Sequence, residues 1–265
     1  MKGRVLVCAG SDSGGGAGIQ ADIKAITAMG AFAMTAVTAL TAQNTLGVQG
    51  VLGVPPEFIR LQMASCLDDI GADACKTGML GDVATIEAVC AGLPRGVPVV
   101  VDPVMVAKGG ARLLEVRAVE ALKRTLLPLC TVLTPNIPEA ETLSGFAIET
   151  EADMRHAAET MLTLGVPAVL LKGGHLRGER LVDLLATPEG IERWEDARLD
   201  TRHTHGTGCT LASAVAAGLA QGMALRDAVD RARRYVRAAM LSAPGLGGGH
   251  GPLDHTARFE ATPAG

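Results

Sequence analysis

Short apolar runs rich in β-branched residues alternate with segments of helical spacing along most of this chain. Near-continuous apolar strands separated by helices are typical of a mostly parallel β-sheet whose two faces are both covered by helices. The sequence therefore predicts an α/β fold of this kind. The predicted strands are 4–9, 35–40, 74–78, 97–101, 131–133 and 168–171, with a hairpin at 180–186 and 191–197, and the predicted helices are 18–29, 56–70, 83–93, 115–127, 154–164, 208–221 and 225–241.

Length and composition favour one domain and argue against several classes of partner. The chain has 265 residues, 48% of them hydrophobic, with no internal repeat or linker, so a single domain over residues 1–265 is predicted. A net charge of −4 and an aromatic content of 2% argue against a nucleic-acid or membrane-surface partner.

The cysteines and the N-terminus favour a cytoplasmic enzyme. The six cysteines form no CxxC pair and no zinc spacing, so reduced, mostly buried thiols are expected. The first apolar run is too short for a signal peptide, and no segment reaches the length of a transmembrane helix.

Polar and glycine-rich residues follow almost every predicted strand. In an open α/β sheet, ligands bind just beyond the carboxyl ends of the strands. These positions carry more polar and glycine residues than loop closure requires, which points to a phosphate-rich ligand. The segments are AGSDSGGGAG, TAQN, KTGM, DPVM, TPNIPE and KGGH.

The glycine-rich segment 10–18 follows the first strand. Glycines there let the backbone approach a ligand and direct N–H groups toward it. A dinucleotide site would need GxGxxG spacing and an acidic residue at the end of the second strand, but that strand ends in TAQN. A P-loop is excluded because no Gly-Lys-Ser/Thr closes the segment. A plain tight turn into a helix remains the alternative.

Asn136 and Glu139 allow two interpretations. Asn is a good helix N-cap, and a Glu three residues later completes a capping box. Structural capping explains this pair about as well as a role in binding magnesium.

Lys172, followed by Gly173 and Gly174, ends a buried strand, and a lysine there suits phosphate oxygens.

Further along, Gly206, Thr207 and Gly208 precede an alanine-rich helix. Consecutive N–H groups at a helix N-terminus form an anion site. Such a terminus lowers the pKa of a thiol, so partial thiolate is expected at Cys209.

Taken together, these motifs resemble hydroxymethylpyrimidine/phosphomethylpyrimidine kinases of thiamine biosynthesis, in the ribokinase superfamily. The resemblance covers essentially the whole chain, and it depends on the order of the complete set. It rests on AGSDSGGGAGIQADIKAI, TALTAQNTLGVQ, KTGMLG, DPVMVAKGG, TPNIPEAETL, LLKGGH and HGTGCTLASAVAA.

The resemblance implies a ribokinase-like α/β fold with a central, mostly parallel sheet flanked by helices on both faces, and a kinase that uses ATP and Mg²⁺. It implies phosphorylation of 4-amino-5-hydroxymethyl-2-methylpyrimidine on its hydroxymethyl group, then of the monophosphate to the pyrophosphate. The family is usually a homodimer.

The resemblance also assigns residues. Those implied for the pyrimidine pocket are Gln43, Gly10, Asp12, Ala17, Met79 and Val106; for ATP and its phosphates, Lys172, Asn136, Asp102 and Thr204; for the metal, Glu139 and Asp102; and for the anion hole and catalysis, Gly206, Thr207, Gly208 and Cys209.

Position 209 separates branches of the superfamily. Ribokinase and its sugar-kinase relatives place an aspartate base where this chain has Cys209, whereas the pyrimidine-kinase branch resembles this chain in having cysteine.

Three other functions stay open at this level. A pyridoxal or pyridoxine kinase of the same superfamily is one. A thiol enzyme with Cys209 as a covalent nucleophile is the second, with His203 or His205 as its partner. A non-catalytic nucleotide-binding protein is the third.

Overall fold

One nine-stranded sheet runs through the protein in the order β3-β2-β1-β4-β5-β6-β7-β8-β9. A computed structural model describes residues 1–107, 110, 113–176 and 178–259. The strands β1, β2, β4, β5, β6 and β7 are parallel, and antiparallel pairs add β3 at one edge and β8 and β9 at the other. The strands are β1 Arg4–Asp12, β2 Phe32–Asn44, β3 Gly47–Gly53, β4 Ala74–Thr77, β5 Val99–Val101, β6 Val132–Leu133, β7 Val169–Lys172, β8 Arg180–Thr187 and β9 Gly190–Ala197.

Helices cover both faces of this sheet, as predicted. Residues of α1, α7 and α8 form the core on one face, and residues of α2 to α6 form the core on the other. Along β1 the side chains alternate, so Val5 and Val7 point into the first core while Leu6 and Cys8 point into the second. The helices are α1 Gly18–Ala28, α2 Pro56–Asp69, α3 Val83–Gly92, α4 Val116–Ala121, α5 Ile137–Ser144, α6 Glu151–Leu162, α7 Thr207–Ala220 and α8 Leu225–Leu241.

Within these described residues, every helix is too short or too polar to cross a membrane. All the described strands belong to one sheet, and the single domain over residues 1–265 stays a prediction.

The β2–β3 hairpin was not anticipated from the sequence. The prediction ended the second strand at Leu40, but β2 continues to Asn44 and turns back into β3. The sequence of β3 is GVQGVLG, and its three glycines weaken the strand signal. Gln43 therefore lies within a hairpin, and not in a loop beyond a parallel strand.

The predicted helix over 115–127 is shorter and less regular than expected. Its α-helical part ends at Ala121 and continues as a π-helical turn over 122–126 and a 3₁₀ turn over 127–129. Pro128 lies in the last turn and has no N–H to donate to a helix ladder. The Thr125 hydroxyl also bonds to the carbonyl of Ala121, which competes with regular α-helical pairing.

The helix α7 packs closely on α8 at Gly218. A Cβ added to Gly218 would lie 2.6 Å from the Cβ of Ala228 and 3.2 Å from its Cα. Because α7 carries Cys209 in its first turn, this contact helps to fix the helix that enters the functional site.

Replacing Gly218 by alanine is therefore expected to destabilise the protein. Alanine gains roughly 1 kcal/mol of helix propensity over glycine, but overpacking of a core costs about 1–3 kcal/mol. We expect a net loss of up to about 2 kcal/mol in the free energy of unfolding, measured by urea denaturation. Gly92→Ala in α3 is the matched control, because its new Cβ meets the flexible Met63 side chain. Equal stability of the two variants would contradict the packing argument.

Candidate active site

A cavity of about 1260 Å³ lies along the carboxyl ends of the parallel strands. Pockets for a single small ligand have volumes of roughly 300–1,000 Å³, so this one has room for two. All the residues that the sequence analysis assigned to a site line this cavity, while their individual roles remain predictions. They are Gly10, Asp12, Ala17, Gln43, Met79, Asp102, Val106, Asn136, Glu139, Lys172, Thr204, Gly206, Thr207, Gly208 and Cys209.

The anion turn, residues 206–209, has the geometry expected of a phosphate site. Gly206 caps α7 in the left-handed conformation, with φ of 83°. The first hydrogen bond of the helix ladder runs from Thr210 N to Gly206 O at 2.9 Å. The N–H groups of Gly208 and Cys209 precede that ladder and are available to an anion.

The anion turn packs against the glycine-rich loop that follows β1. A Cβ on Gly206 would overlap the carbonyl oxygen of Gly16, and a Cβ on Gly16 would overlap the His205 ring. Only glycine fits at these two positions. The start of α1 is thereby fixed against the start of α7.

Asp12 organises this contact. Its carboxylate accepts hydrogen bonds from the N–H groups of Gly14, Gly16 and Ala17, and it lies 2.8 Å from His205 Nε2. Burial alone would raise the pKa of Asp12, but His205 and the backbone donors outweigh it and lower the pKa. Asp12 lines the cavity, and these four contacts already occupy its carboxylate. Asp12 therefore shapes the pyrimidine pocket to which the resemblance assigned it.

A second cluster joins Lys172, Asp102 and Glu139. Lys172 Nζ lies 3.1 Å from Asp102 Oδ1, and a Cβ on Gly208 would lie 3.3 Å from that ammonium. Burial opposes the charge of Lys172, but Asp102 and then Glu139 more than compensate and raise its pKa. The ammonium is thus held, charged, beside the anion turn.

Asn136 and Glu139 do form a capping box at the start of α5. Glu139 N donates to Asn136 Oδ1, and Asn136 N donates to Glu139 Oε2 at 2.8 Å. Glu139 is nevertheless buried beside charged groups: burial raises its pKa to about 7, with Lys172 lowering it and Asp102 raising it. Asn136 and Glu139 therefore do cap the helix, as one of the two interpretations predicted. The second carboxylate oxygen of Glu139 lies outside the capping box.

Cys209 lies where the N-termini of α1 and α7 converge. It is partly accessible from the cavity, and the N–H of Gly18 points toward its thiol. Burial raises the pKa of Cys209 to about 12; Lys76 opposes this rise, whereas Asp22 and Asp102 add to it. The expectation of a lowered pKa was wrong, because desolvation outweighs the helix N-termini.

Sequence reasoning missed the two residues that lie behind Cys209. Lys76 on β4 donates to both carboxylate oxygens of Asp22 on α1, at 2.9 and 3.1 Å. Ser213 on α7 donates to the same carboxylate at 2.7 Å. All three side chains are fully buried, and Lys76 also lines the cavity. The one signal in the sequence that could have revealed this cluster was Lys76 itself, a lysine on a buried strand within the KTGM segment already noted.

The residues implied for the pyrimidine lie at the β2 end of the cavity. Gln43 is partly exposed, and its Oε1 accepts a hydrogen bond from Thr41 Oγ1 at 3.1 Å. The sulfur of Met79 would lie 3.1 Å from a Cβ on Gly10, and Val106 is half exposed. An amide facing apolar side chains suits a small ring with both donors and acceptors.

The other end of the cavity, toward β9 and α8, was not assigned from the sequence. Leu199, Val236 and Met240 supply apolar side chains there. Arg198 holds the preceding loop by donating to the carbonyls of Gly174, Leu176 and Gly178.

The glycine-rich segment 245–251 lies outside the cavity lining. It packs on the β2–β3 turn, where His250 N donates to Thr45 O at 3.0 Å. It also reaches the residue that precedes the anion turn, since His205 N donates to Gly251 O at 3.2 Å.

The covalent thiol mechanism finds no support in this geometry. His205 bonds to Asp12, and the raised pKa of Cys209 disfavours a resting thiolate.

Comparison with known proteins gives one consistent answer. The family model described as phosphomethylpyrimidine kinase matches residues 12–254. A hydroxymethylpyrimidine/phosphomethylpyrimidine kinase of Streptomyces coelicolor is 51% identical over 95% of this chain and 93% of its own. A thiamine biosynthesis bifunctional protein of Geobacter sulfurreducens is 53% identical over 96% of this chain, which spans only 52% of that protein.

Among solved structures, a pyridoxal kinase from Staphylococcus aureus in complex with AMP-PCP and pyridoxal superposes with a TM-score of 0.88 and 33% identity, over 97% of this chain and 94% of that one. This similarity confirms the predicted ribokinase-like fold. With the family model matching most of its length, the chain belongs to the phosphomethylpyrimidine kinase family.

Proposed function

We propose that this protein is an ATP-dependent kinase that phosphorylates 4-amino-5-hydroxymethyl-2-methylpyrimidine and then phosphorylates the monophosphate to the pyrophosphate. The observation that carries the proposal is that one cavity joins Gln43, the anion turn and Lys172. That arrangement supports a ring-binding end at Gln43 and a phosphate-binding end at the anion turn and Lys172 within the same cavity. The names of the related kinases support the same two activities.

The first phosphorylation joins the hydroxymethyl oxygen to the γ-phosphorus of ATP. The bond from the γ-phosphorus to the β–γ bridging oxygen breaks, and ADP leaves with the electron pair. Backbone N–H groups of the anion turn and the Lys172 ammonium stabilise the transferred group. The hydroxyl proton passes to the thiolate form of Cys209, which is the minor form near neutral pH because burial raises the pKa to about 12, and which Lys76 and the Gly18 N–H stabilise.

The second phosphorylation makes the same bonds to a phosphate oxygen. The second pKa of a phosphate monoester is about 6, so this acceptor has already lost its proton near neutral pH. It needs positioning and electrostatic stabilisation, but no base.

Mg²⁺ fits this site as a companion of the ATP phosphates. Nowhere in the described residues do three His, Cys, Asp or Glu side chains converge as a metal cage. Asp102 and Glu139 are buried carboxylates beside Lys172, and Mg²⁺ is commonly held by one or two carboxylates together with phosphates and water. Bound there, Mg²⁺ would neutralise phosphate charge.

A pyridoxal kinase is the second candidate function, favoured by the structural similarity to the Staphylococcus aureus enzyme. Gln43 and Met79 favour the pyrimidine over the pyridine ring. The deciding experiment measures ADP release with hydroxymethylpyrimidine, its monophosphate and pyridoxine as separate acceptors. We expect turnover of the first two to exceed that of pyridoxine. Pyridoxine turnover alone would reverse the assignment, and ATP binding without turnover would indicate a non-catalytic protein.

We propose a cytoplasmic location and a homodimer. A supply of ATP and six free cysteines suit the reducing cytoplasm. Among the described residues, no strand pairs with the outer side of the edge strand β3, and the hairpin exposes Leu46 and Leu52 at 73% and 66%. An apolar exposed edge of this kind favours pairing with another chain.

Cys209→Ala is expected to reduce phosphorylation of the hydroxyl group much more than phosphorylation of the monophosphate. A general base contributes about 10²–10⁴-fold to rate, and only the first step needs one. We expect about a 10²-fold or larger loss in kcat for the first step and less than about a tenfold loss for the second. The two steps are measured separately, each with its own acceptor. Equal losses would instead indicate a shared structural role.

The first step should also accelerate with rising pH. Burial raises the pKa of Cys209 to about 12, so below that pH the thiolate fraction rises about tenfold per pH unit. We expect log kcat for hydroxyl phosphorylation to increase between about pH 6.5 and 9, while the second step levels off above the phosphate pKa of about 6. Cys209→Ala should lose the increase. A flat first-step profile in the wild-type protein would exclude the thiolate as the base.

Leu52→Lys is expected to weaken the homodimer, because it places a charge on the apolar edge of the sheet. Sedimentation velocity over a range of protein concentrations gives the measurement. Leu241→Lys, at an equally exposed leucine on α8, is the control and should leave assembly unchanged. An unaltered dimer in Leu52→Lys would move the interface elsewhere.

A further inference from the structure

Lys76 is an unusual residue to find inside this protein. Its side chain has no solvent exposure, and its ammonium donates two hydrogen bonds to described residues, both to the Asp22 carboxylate. Replacing a buried ion pair by apolar residues of similar volume is often neutral or stabilising. Packing alone therefore gives a weak reason for a lysine at this position.

The position of Lys76 relates it to the reacting end of the cavity. It lines the cavity together with Cys209. Its Nζ would lie 2.9 Å from a Cβ on Gly78, whose absent side chain gives the ammonium its space. Ser213, one helical turn beyond Cys209 on α7, holds Asp22 and so fixes the lysine relative to that helix.

Charged groups face Cys209 from four elements. Lys76 approaches from β4, Asp22 from α1, Asp102 from the end of β5 and Lys172 from β7. The two lysines are each paired with an aspartate, at 2.9 Å for Lys76 and 3.1 Å for Lys172. Cys209 thus lies between two lysine–aspartate pairs, of which only the Lys172–Asp102 pair is associated with ATP phosphates.

We propose that Lys76 is a positioning residue for phosphoryl transfer, whose ammonium, held by the Asp22 carboxylate to which Ser213 also donates, stabilises the thiolate form of Cys209 that takes up the hydroxyl proton. This inference rests on the proposed function of Cys209. Lys76 and Asp22 have opposite electrostatic effects on Cys209. The Lys76 ammonium favours the thiolate, whereas the Asp22 carboxylate that holds it disfavours the thiolate.

The test compares Lys76→Met and Asp22→Asn by a readout that needs no substrate. Full-length protein is treated with iodoacetamide at fixed pH, and alkylation of Cys209 is followed by peptide mass spectrometry, with the partly buried Cys66 on α2 as internal reference. We expect Lys76→Met to slow alkylation by about tenfold, as for a pKa one unit higher, and Asp22→Asn to accelerate it. A purely structural role would move both variants in the same direction, and that result would overturn the proposal.

The double variant Lys76→Met/Asp22→Asn guards against loss of folding, since it leaves no unpaired buried charge. It should alkylate more slowly than Asp22→Asn alone. Equal rates in these two proteins would also overturn the proposal.

Kinetics provide the link to catalysis. Lys76→Met should lower kcat for hydroxyl phosphorylation about tenfold more than for monophosphate phosphorylation, with little change in KM. In a Cys209→Ala background the same substitution should cost little further, because the two residues act as a unit. An additive loss would contradict action through Cys209. If the wild-type protein phosphorylates no pyrimidine, the proposed function fails, while the alkylation rates still decide what Lys76 does to the thiol.

Discussion

The contact between two glycine-rich turns is the constraint on which the rest of the site depends. A Cβ on Gly206 would overlap the carbonyl oxygen of Gly16, and a Cβ on Gly16 would overlap the His205 ring, so neither position has room for a side chain. The Asp12–His205 pair holds the two turns together. As a result the N-termini of α1 and α7, which pack on the same face of the sheet, converge on Cys209. Backbone N–H groups then point into one place before any ligand binds, which is what electrostatic preorganisation requires.

The sequence predicts the parallel sheet, the helices on both faces and the list of residues around the cavity, because each depends on local pattern: apolar runs, helical spacing and polar strand ends. What it did not predict depends on long-range contacts. The strand β3 is hidden by glycines and becomes a strand only through its pairing with β2. The bond of Asp12 to His205, 193 residues away, cannot be read from spacing, and the contact of Asp12 with a ligand stays a prediction. Lys76 and Asp22 are separated by 54 residues, and only the fold shows that they meet beneath Cys209.

The pKa of Cys209 shows why a local rule failed. A helix N-terminus lowers the pKa of an exposed thiol, but here the same convergence of helices that supplies N–H groups also removes water. Desolvation outweighs the dipoles, and Asp22 and Asp102 add to the rise. Lys76 is the cation that opposes it. The charge state of the thiol therefore depends on groups from elements other than its own helix, and a sequence window around position 209 cannot reveal it.

A thiol that is neutral at rest suits a kinase with two different acceptors. The first acceptor is an uncharged hydroxyl group, and it requires a place for its proton. The second is a phosphate that already carries about −1.5 to −2 charges near neutral pH. A carboxylate at position 209, as in the sugar-kinase relatives, would serve the first acceptor but repel the second, since like charges a few ångström apart in a desolvated site repel strongly. In the proposed mechanism the thiolate form of Cys209 accepts the proton of a bound hydroxyl, whereas the neutral thiol, favoured by the raised pKa, carries no charge beside a bound phosphate. The same cavity, anion turn and lysines can then position both acceptors for transfer.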